Sequence, residues 1–210
     1  GTPGFLQCIK TALAIKLKDA MGVENIRQRE AEITDYVMDA LAQNEQVVML
    51  EPTLRDRLAI VSFYIPSAHY NLVVRLLNDK FGVQTRGGCS CAGTYGHILL
   101  NVDQSTSSKI TEQIDAGDYA EKPGWIRASF HPTTSDKEVA FVVDAIKKVT
   151  ENLALWRKEY RFNPAIGDYE HSNFSVQFPT LSSFDALPEV SSVAVKKVGA
   201  NPSILRKLFG

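Results

Sequence analysis

An excess of charge of either sign is missing from this sequence: 23 Lys and Arg stand against 24 Asp and Glu in 210 residues, for a formal net charge of −1. Nothing in that balance argues for nucleic acid as a partner, and no block of like charge marks a disordered tail. Long apolar runs are missing as well. The longest, such as Leu58 to Ile65, are far too short to span a bilayer, so no membrane association is expected. Cysteine is scarce and odd in number, three in all with two of them one residue apart. That is no disulfide framework, and it fits a reducing cytoplasm. The chain opens on Gly1-Thr2-Pro3 with neither an initiator Met nor a charged-then-apolar leader, so a processed or excised piece is expected. What is present is a globular composition, 44% hydrophobic and 22% charged, enough apolar mass for a core in one domain with an appendage or in two small domains.

The pattern along the chain predicts an α+β fold. Thr2 and Pro3 read as the N-cap and first position of a helix whose apolar stripe runs Phe5, Ile9, Leu13, Leu17 and Met21. A second amphipathic helix follows, with Ile26, Ile33, Val37 and Leu41 on one side. Val47–Leu50 and Leu58–Ile65 read as antiparallel strands, being β-branched and closely linked. Ser67 is expected to cap a third helix that stops at Gly82. Val83–Arg86 reads as a short strand, Thr106–Ala116 as a short helix and Trp125–Phe130 as a strand. Ser135 with Glu138 three residues on forms a capping box for a last long helix. The expected architecture is a small, mainly antiparallel sheet covered by helices on one face. It fills a domain of residues 1–160, followed by an accessory C-terminal arm, residues 161–210, rich in Ser and punctuated by Pro.

Three segments carry chemistry. In Arg86-Gly87-Gly88-Cys89-Ser90-Cys91-Ala92-Gly93, glycines on both sides let the cysteines ride on an adaptable turn. A thiol becomes a nucleophile only as a thiolate, and Arg86 is a cation near enough to favour that form. Small apolar fillers are the other use of such cysteines. No metal is expected, since Cys-x-Cys offers two ligands and no matched pair lies nearby. Arg127, within the apolar run Trp125-Ile126-Arg127-Ala128-Ser129-Phe130, needs an internal acid, solvent at a sheet margin or an external anion, because an unpaired buried guanidinium is costly. Its fork suits a carboxylate. The helix start at Thr2 presents N–H groups suited to an anion.

Taken in order, Gly1-Thr2-Pro3, Ile60-Val61-Ser62-Phe63, Arg86-Gly87-Gly88-Cys89-Ser90-Cys91-Ala92 and Arg127-Ala128-Ser129 resemble the C-terminal portion of the class V aminotransferase and cysteine desulfurase superfamily of pyridoxal-phosphate (PLP) enzymes, its selenocysteine lyase-like branch above all. The resemblance covers roughly Gly1 to Leu153. It implies that Cys91 is the nucleophile that takes sulfur or selenium from an amino acid held on PLP, releasing alanine. It implies that Arg127 clamps the substrate carboxylate, with Arg86 in a supporting place, and that Thr2 binds the PLP phosphate of a neighbouring subunit in a homodimeric parent. Differences from the family are Cys89-Ser90 where His-His is common, a longer stretch from Thr94 to Lys122, and the arm after Tyr160. A class V aminotransferase or epimerase without thiol chemistry, which would keep Arg127 and Thr2, is one alternative. A non-catalytic interaction module is another.

The lysine that would tether PLP sits in a Ser-x-His-Lys type setting in this family, and no lysine here has that setting. The parent's N-terminal large PLP domain is therefore expected as the missing partner, and the chain alone is expected to be inactive. Incubated with PLP, the 210-residue chain should give no stoichiometric imine absorbance. A borohydride-trappable imine would overturn that expectation.

Overall fold

The computed structural model describes residues 3–89 and 93–173. Two helices open it, α1 (Phe5–Met21) and α2 (Val23–Ala42). They are followed by β1 (Val48–Met49), β2 (Ile60–Tyr64), α3 (Tyr70–Phe81), β3 (Arg86–Gly88), α4 (Gly93–Leu99), α5 (Gln104–Asp115), β4 (Trp125–Ser129) and α6 (Asp136–Trp156). A 3-10 turn over Arg157–Glu159 leads into β5 (Tyr160–Asn163) and β6 (Asp168–His171). The α+β architecture with a small antiparallel sheet is as expected. The sheet order is β1-β2-β4-β3 with every pairing antiparallel, and β5-β6 form a separate hairpin.

Side chains alternate across the strands, and that alternation divides the sheet into two unlike faces. Val61, Phe63 and Ile65 on β2 and its continuation, with Ile126, Ala128 and Phe130 on β4, point to the helices and are buried. Against them pack Ile33, Val37, Met38 and Leu41 of α2, Leu72, Val73, Leu76 and Leu77 of α3, and Val139, Ile146, Val149 and Leu153 of α6. The register pairs Phe63 with Ile126, and Ile126 in turn with Gly87. A one-residue slip would turn this whole apolar set to the other side, so burial of one face fixes the register strongly. The other face carries Ile60, Ser62, Arg127 and Arg86.

Several local expectations shift. α1 starts after Gly4, which makes no side-chain cap, so the start expected at Thr2-Pro3 moves inward; Thr2 itself lies outside the described residues. No residue of α1 is buried, and its stripe of Phe5, Ile9, Leu13 and Leu17 is exposed. α3 is capped by His69 rather than Ser67: the His69 ring nitrogen accepts from the Asn71 N–H at 3.2 Å. The strand expected at Val83–Arg86 lies instead at Arg86–Gly88, where pairing with β4 outweighs the low strand preference of two glycines. α6 has the expected box, Ser135 and Glu138 each bonding the other's backbone. Tyr160, the last residue of the expected domain, and residues 161–171 of the expected arm form a hairpin that docks on α3 through the Arg75–Asp168 ion pair at 2.5 Å and the Tyr160 hydroxyl, which donates to Asp79 at 2.9 Å. Among the described residues no helix is long and apolar enough to cross a membrane.

The cysteine loop leaves the sheet through a close-packed junction. Gly88 has φ +100°, a left-handed value that glycine adopts without strain. Gly124, just before β4, lies so near that an added Cβ would sit 2.5 Å from the Tyr70 ring and 2.8 Å from the Gly88 Cα. The Tyr70 ring, 8% exposed, thus fills the space that glycine leaves. Gly124→Ala should overpack this junction and destabilise the chain by about 1–3 kcal/mol. Chemical denaturation reads this directly; an unchanged midpoint would contradict the packing described.

Candidate functional site

Arg127 stands at the centre of a row that crosses three strands. The register places Ser62 opposite it on β2 and Arg86 opposite it on β3, so all three share the face away from the helices. Directly opposed residues on neighbouring strands have Cβ atoms roughly 4.5–5.5 Å apart, and like charges there repel. No carboxylate relieves them: among the described residues neither Arg86 nor Arg127 forms an ion pair. Arg29, Arg55 and Arg75 behave otherwise, each held by one or two acids. The Arg127 Nε is moreover buried with no acceptor. Leaving a buried donor unsatisfied costs about 1–3 kcal/mol, and more when the group is charged. An anion carrying two oxygens would satisfy both features of this row. Of the three sources weighed for Arg127 in the sequence, the internal acid finds no counterpart among the described residues, and Arg127 itself is partly exposed.

Of the other predicted site residues, Arg86 is exposed at the start of the loop, at the sheet edge. Thr2 and Cys91 lie outside the described residues. Cys89 is within them and is half-buried. Its thiol donates to the Pro123 carbonyl at 2.9 Å. Burial pushes its pKa up, and the nearby Lys122 ammonium offsets this only in part. The protonated thiol is therefore the favoured form of Cys89. Tyr70, beside it, is likewise kept neutral, its pKa pushed up to about 12 chiefly by burial, with Cys89 and Asp168 adding to the rise.

α4 covers one end of the open face. A Cβ at Gly96 would lie 3.2 Å from both the Cys89 sulfur and the Trp125 ring, so this helix turn rests directly on them. Beside it, Ile60, Ser62, Leu58, Tyr95, Leu99 and Trp125 border a recess of about 380 Å³. Nearby Arg57 is turned to its own loop, donating to the Leu54 and Glu51 carbonyls. His97, close to the cysteines in sequence, is held by the Ser107 hydroxyl at 2.9 Å.

Sequence reasoning missed Lys122 and Tyr70. Lys122 sits in an irregular polar stretch and shows its place only once the fold brings it beside Cys89. The dipeptide Pro123-Gly124 before an apolar strand was the one available signal of a close approach there.

This arrangement has counterparts. The family model for class-V aminotransferases matches residues 1–142. A cysteine desulfurase of Haloferax volcanii is 30% identical over 154 residues, which cover 73% of this chain and 31% of that protein. A probable cysteine desulfurase of Halobacterium salinarum is 35% identical over the same length, covering 73% and 32%. In the apo structure of a cysteine desulfurase from Thermococcus onnurineus, a similar fold covers 72% of this chain and 32% of that one, with a TM-score of 0.53 at 23% identity. The chain thus spans about a third of the length of the relatives it matches. With two thirds of its residues under one family model and its motifs in the family's order, the chain belongs to the class V aminotransferase family.

Proposed function

We propose that this chain supplies the substrate-clamping and nucleophile-bearing part of a PLP-dependent cysteine desulfurase or selenocysteine lyase-like enzyme. The observation that carries the reading is the unpaired Arg86–Arg127 row, with its orphaned Arg127 Nε, directly before the cysteine loop. Such a row fits an α-carboxylate, which Arg127 grips through its planar fork while Arg86 adds positive potential at the lip.

The relatives named above are cysteine desulfurases or probable ones, and the family is one of PLP enzymes. The residues here fit one part of what PLP chemistry needs. The exposed face offers the anion clamp, yet none of its strand positions is a lysine, so the amine that tethers PLP is not among them. We place that amine in a large domain beyond these residues, with Thr2 reaching the PLP phosphate of a second subunit. When bound in the complete protein, PLP supplies the electron sink that weakens the bond to sulfur.

What this chain's own residues do follows from their settings. Arg127 fixes the amino acid's carboxylate and so aims its side-chain sulfur or selenium. The two loop cysteines have separate roles. Cys89 is committed to the Pro123 carbonyl and held protonated, a poor nucleophile. That leaves Cys91, at the position of the family's nucleophile, to take the sulfur atom and carry it as a persulfide while alanine departs.

In the complete protein, Cys91→Ala should lower sulfur release on the order of a thousandfold or more while PLP absorbance is retained. Arg127→Ala should remove roughly 2–4 kcal/mol of transition-state binding, about thirty- to a thousandfold in kcat/KM. A nearly silent Cys91→Ala beside a severe Arg127→Ala would instead mean a transferase or epimerase that uses no thiol. Alkylation of Cys89 by iodoacetamide should rise with pH through a midpoint above the ordinary thiol range, because the reactive thiolate forms only there. A midpoint near neutrality would make Cys89 the activated thiol and contradict the assignment.

A further inference from the structure

The two stretches that the sequence reading set apart from the family pattern meet at one place. The turn between β5 and β6 abuts the end of the long segment that runs from Thr94 to Lys122: a Cβ at Gly167 would lie 2.8 Å from the Tyr119 Cβ. The turn is held there by Asn71, whose side-chain amide donates to the Gly167 carbonyl at 2.5 Å, and by the Arg75–Asp168 ion pair. Between this junction and β3 lies a cavity of about 810 Å³, bordered by Arg86, Cys89, Tyr119, Lys122 and Ile166. That volume is in the range of small-molecule sites.

The chemistry of its wall is one-sided. No Asp or Glu lines the cavity, whereas two cations do, and neither Arg86 nor Lys122 is paired with a carboxylate among the described residues. The nearest acid of the hairpin, Asp168, is taken up by Arg75. Among the described residues β3 is the last strand of its sheet, and Gly87 and Gly88 bring its backbone to the cavity without side chains. Cations around a half-open cavity select an anion. The cavity also borders Cys89, two residues before Cys91 in the sequence.

We propose that this cavity binds a small carboxylate-bearing thiol, the acceptor that carries sulfur away, with Lys122 holding its carboxylate. The proposal rests on the reading of the loop as a sulfur-transfer loop. In the transfer itself the acceptor's thiolate attacks the outer sulfur of the persulfide, the sulfur–sulfur bond to Cys91 breaks, Cys91 leaves as a thiolate and the acceptor departs as a persulfide. Arg86 adds positive potential from the sheet side, and the hairpin forms the wall that the rest of the fold does not provide.

Isothermal titration calorimetry on the 210-residue chain tests this with two thiols of similar length and opposite charge. Mercaptopropionate should bind saturably and more weakly as salt is raised, and cysteamine should not bind. Propionate, which lacks the thiol, should compete. Lys122→Gln should weaken mercaptopropionate about tenfold, as expected for loss of a charge-assisted contact. Ile166→Asp, which places an anion on an exposed part of the wall and disturbs no buried side chain, should weaken it as well. Equal heats from both thiols would overturn the proposal, as would wild-type affinity in Lys122→Gln and Ile166→Asp. The readout needs neither PLP nor turnover, so its failure leaves the Cys91→Ala result in the complete protein standing, and a silent Cys91→Ala leaves the anion site standing.

Discussion

Two arginines opposed across neighbouring strands, with no acid between them, form the constraint on which the rest of this structure turns. A sheet does not tolerate such a pair without compensation, and here the Arg127 Nε is buried without an acceptor besides. The strain is held in place by the opposite side of the same strands. Val61, Phe63, Ile126 and Ala128 are locked among α2, α3 and α6, and because side chains alternate, every residue that locks inward fixes a neighbour that faces outward. The apolar core therefore presents Arg127 and Arg86 together. Stability and function are coupled through register.

The second device is the junction at the base of the cysteine loop. Tyr70 fills the space left by Gly124 against Gly88, and α4 rests on Cys89 and Trp125 at Gly96. These contacts hold the start of the loop to the sheet edge and tie one of its two thiols to a backbone carbonyl. Cys89 is a protonated, hydrogen-bonded part of the wall, and the proposed function leaves the chemistry to Cys91. The same junction borders the cavity that carries Lys122.

Much of this was legible in the residues. The strand runs gave β2 and β4, and the Ser135–Glu138 box gave the start of α6. The places where the reading slipped are those where tertiary contacts override local preference. Arg86-Gly87-Gly88 looks like loop by composition and becomes a strand because β4 offers it hydrogen bonds. Ser67 looks like the better cap, yet His69 takes that role through a ring nitrogen. Tyr160 to His171, in text marked by Pro164 and Gly167, pairs into a hairpin because α3 offers Arg75 and Asp79 to receive it. Lys122 matters only through the neighbours that the fold assigns to it, and no periodicity announces such a residue.

Family membership and site geometry support each other here but carry different parts of the account. The match to class-V aminotransferases gives the family, over a third of the length of the relatives compared. The two arginines, the tethered Cys89 and the positive cavity are what the proposed function adds to it. The most direct test is where the sulfur lands. After a single turnover of cysteine by the complete protein, mass spectrometry with fragmentation of the peptide that bears both loop cysteines should find one added sulfur atom on Cys91 and none on Cys89. Sulfur on Cys89, or turnover that leaves neither cysteine modified, would contradict the account.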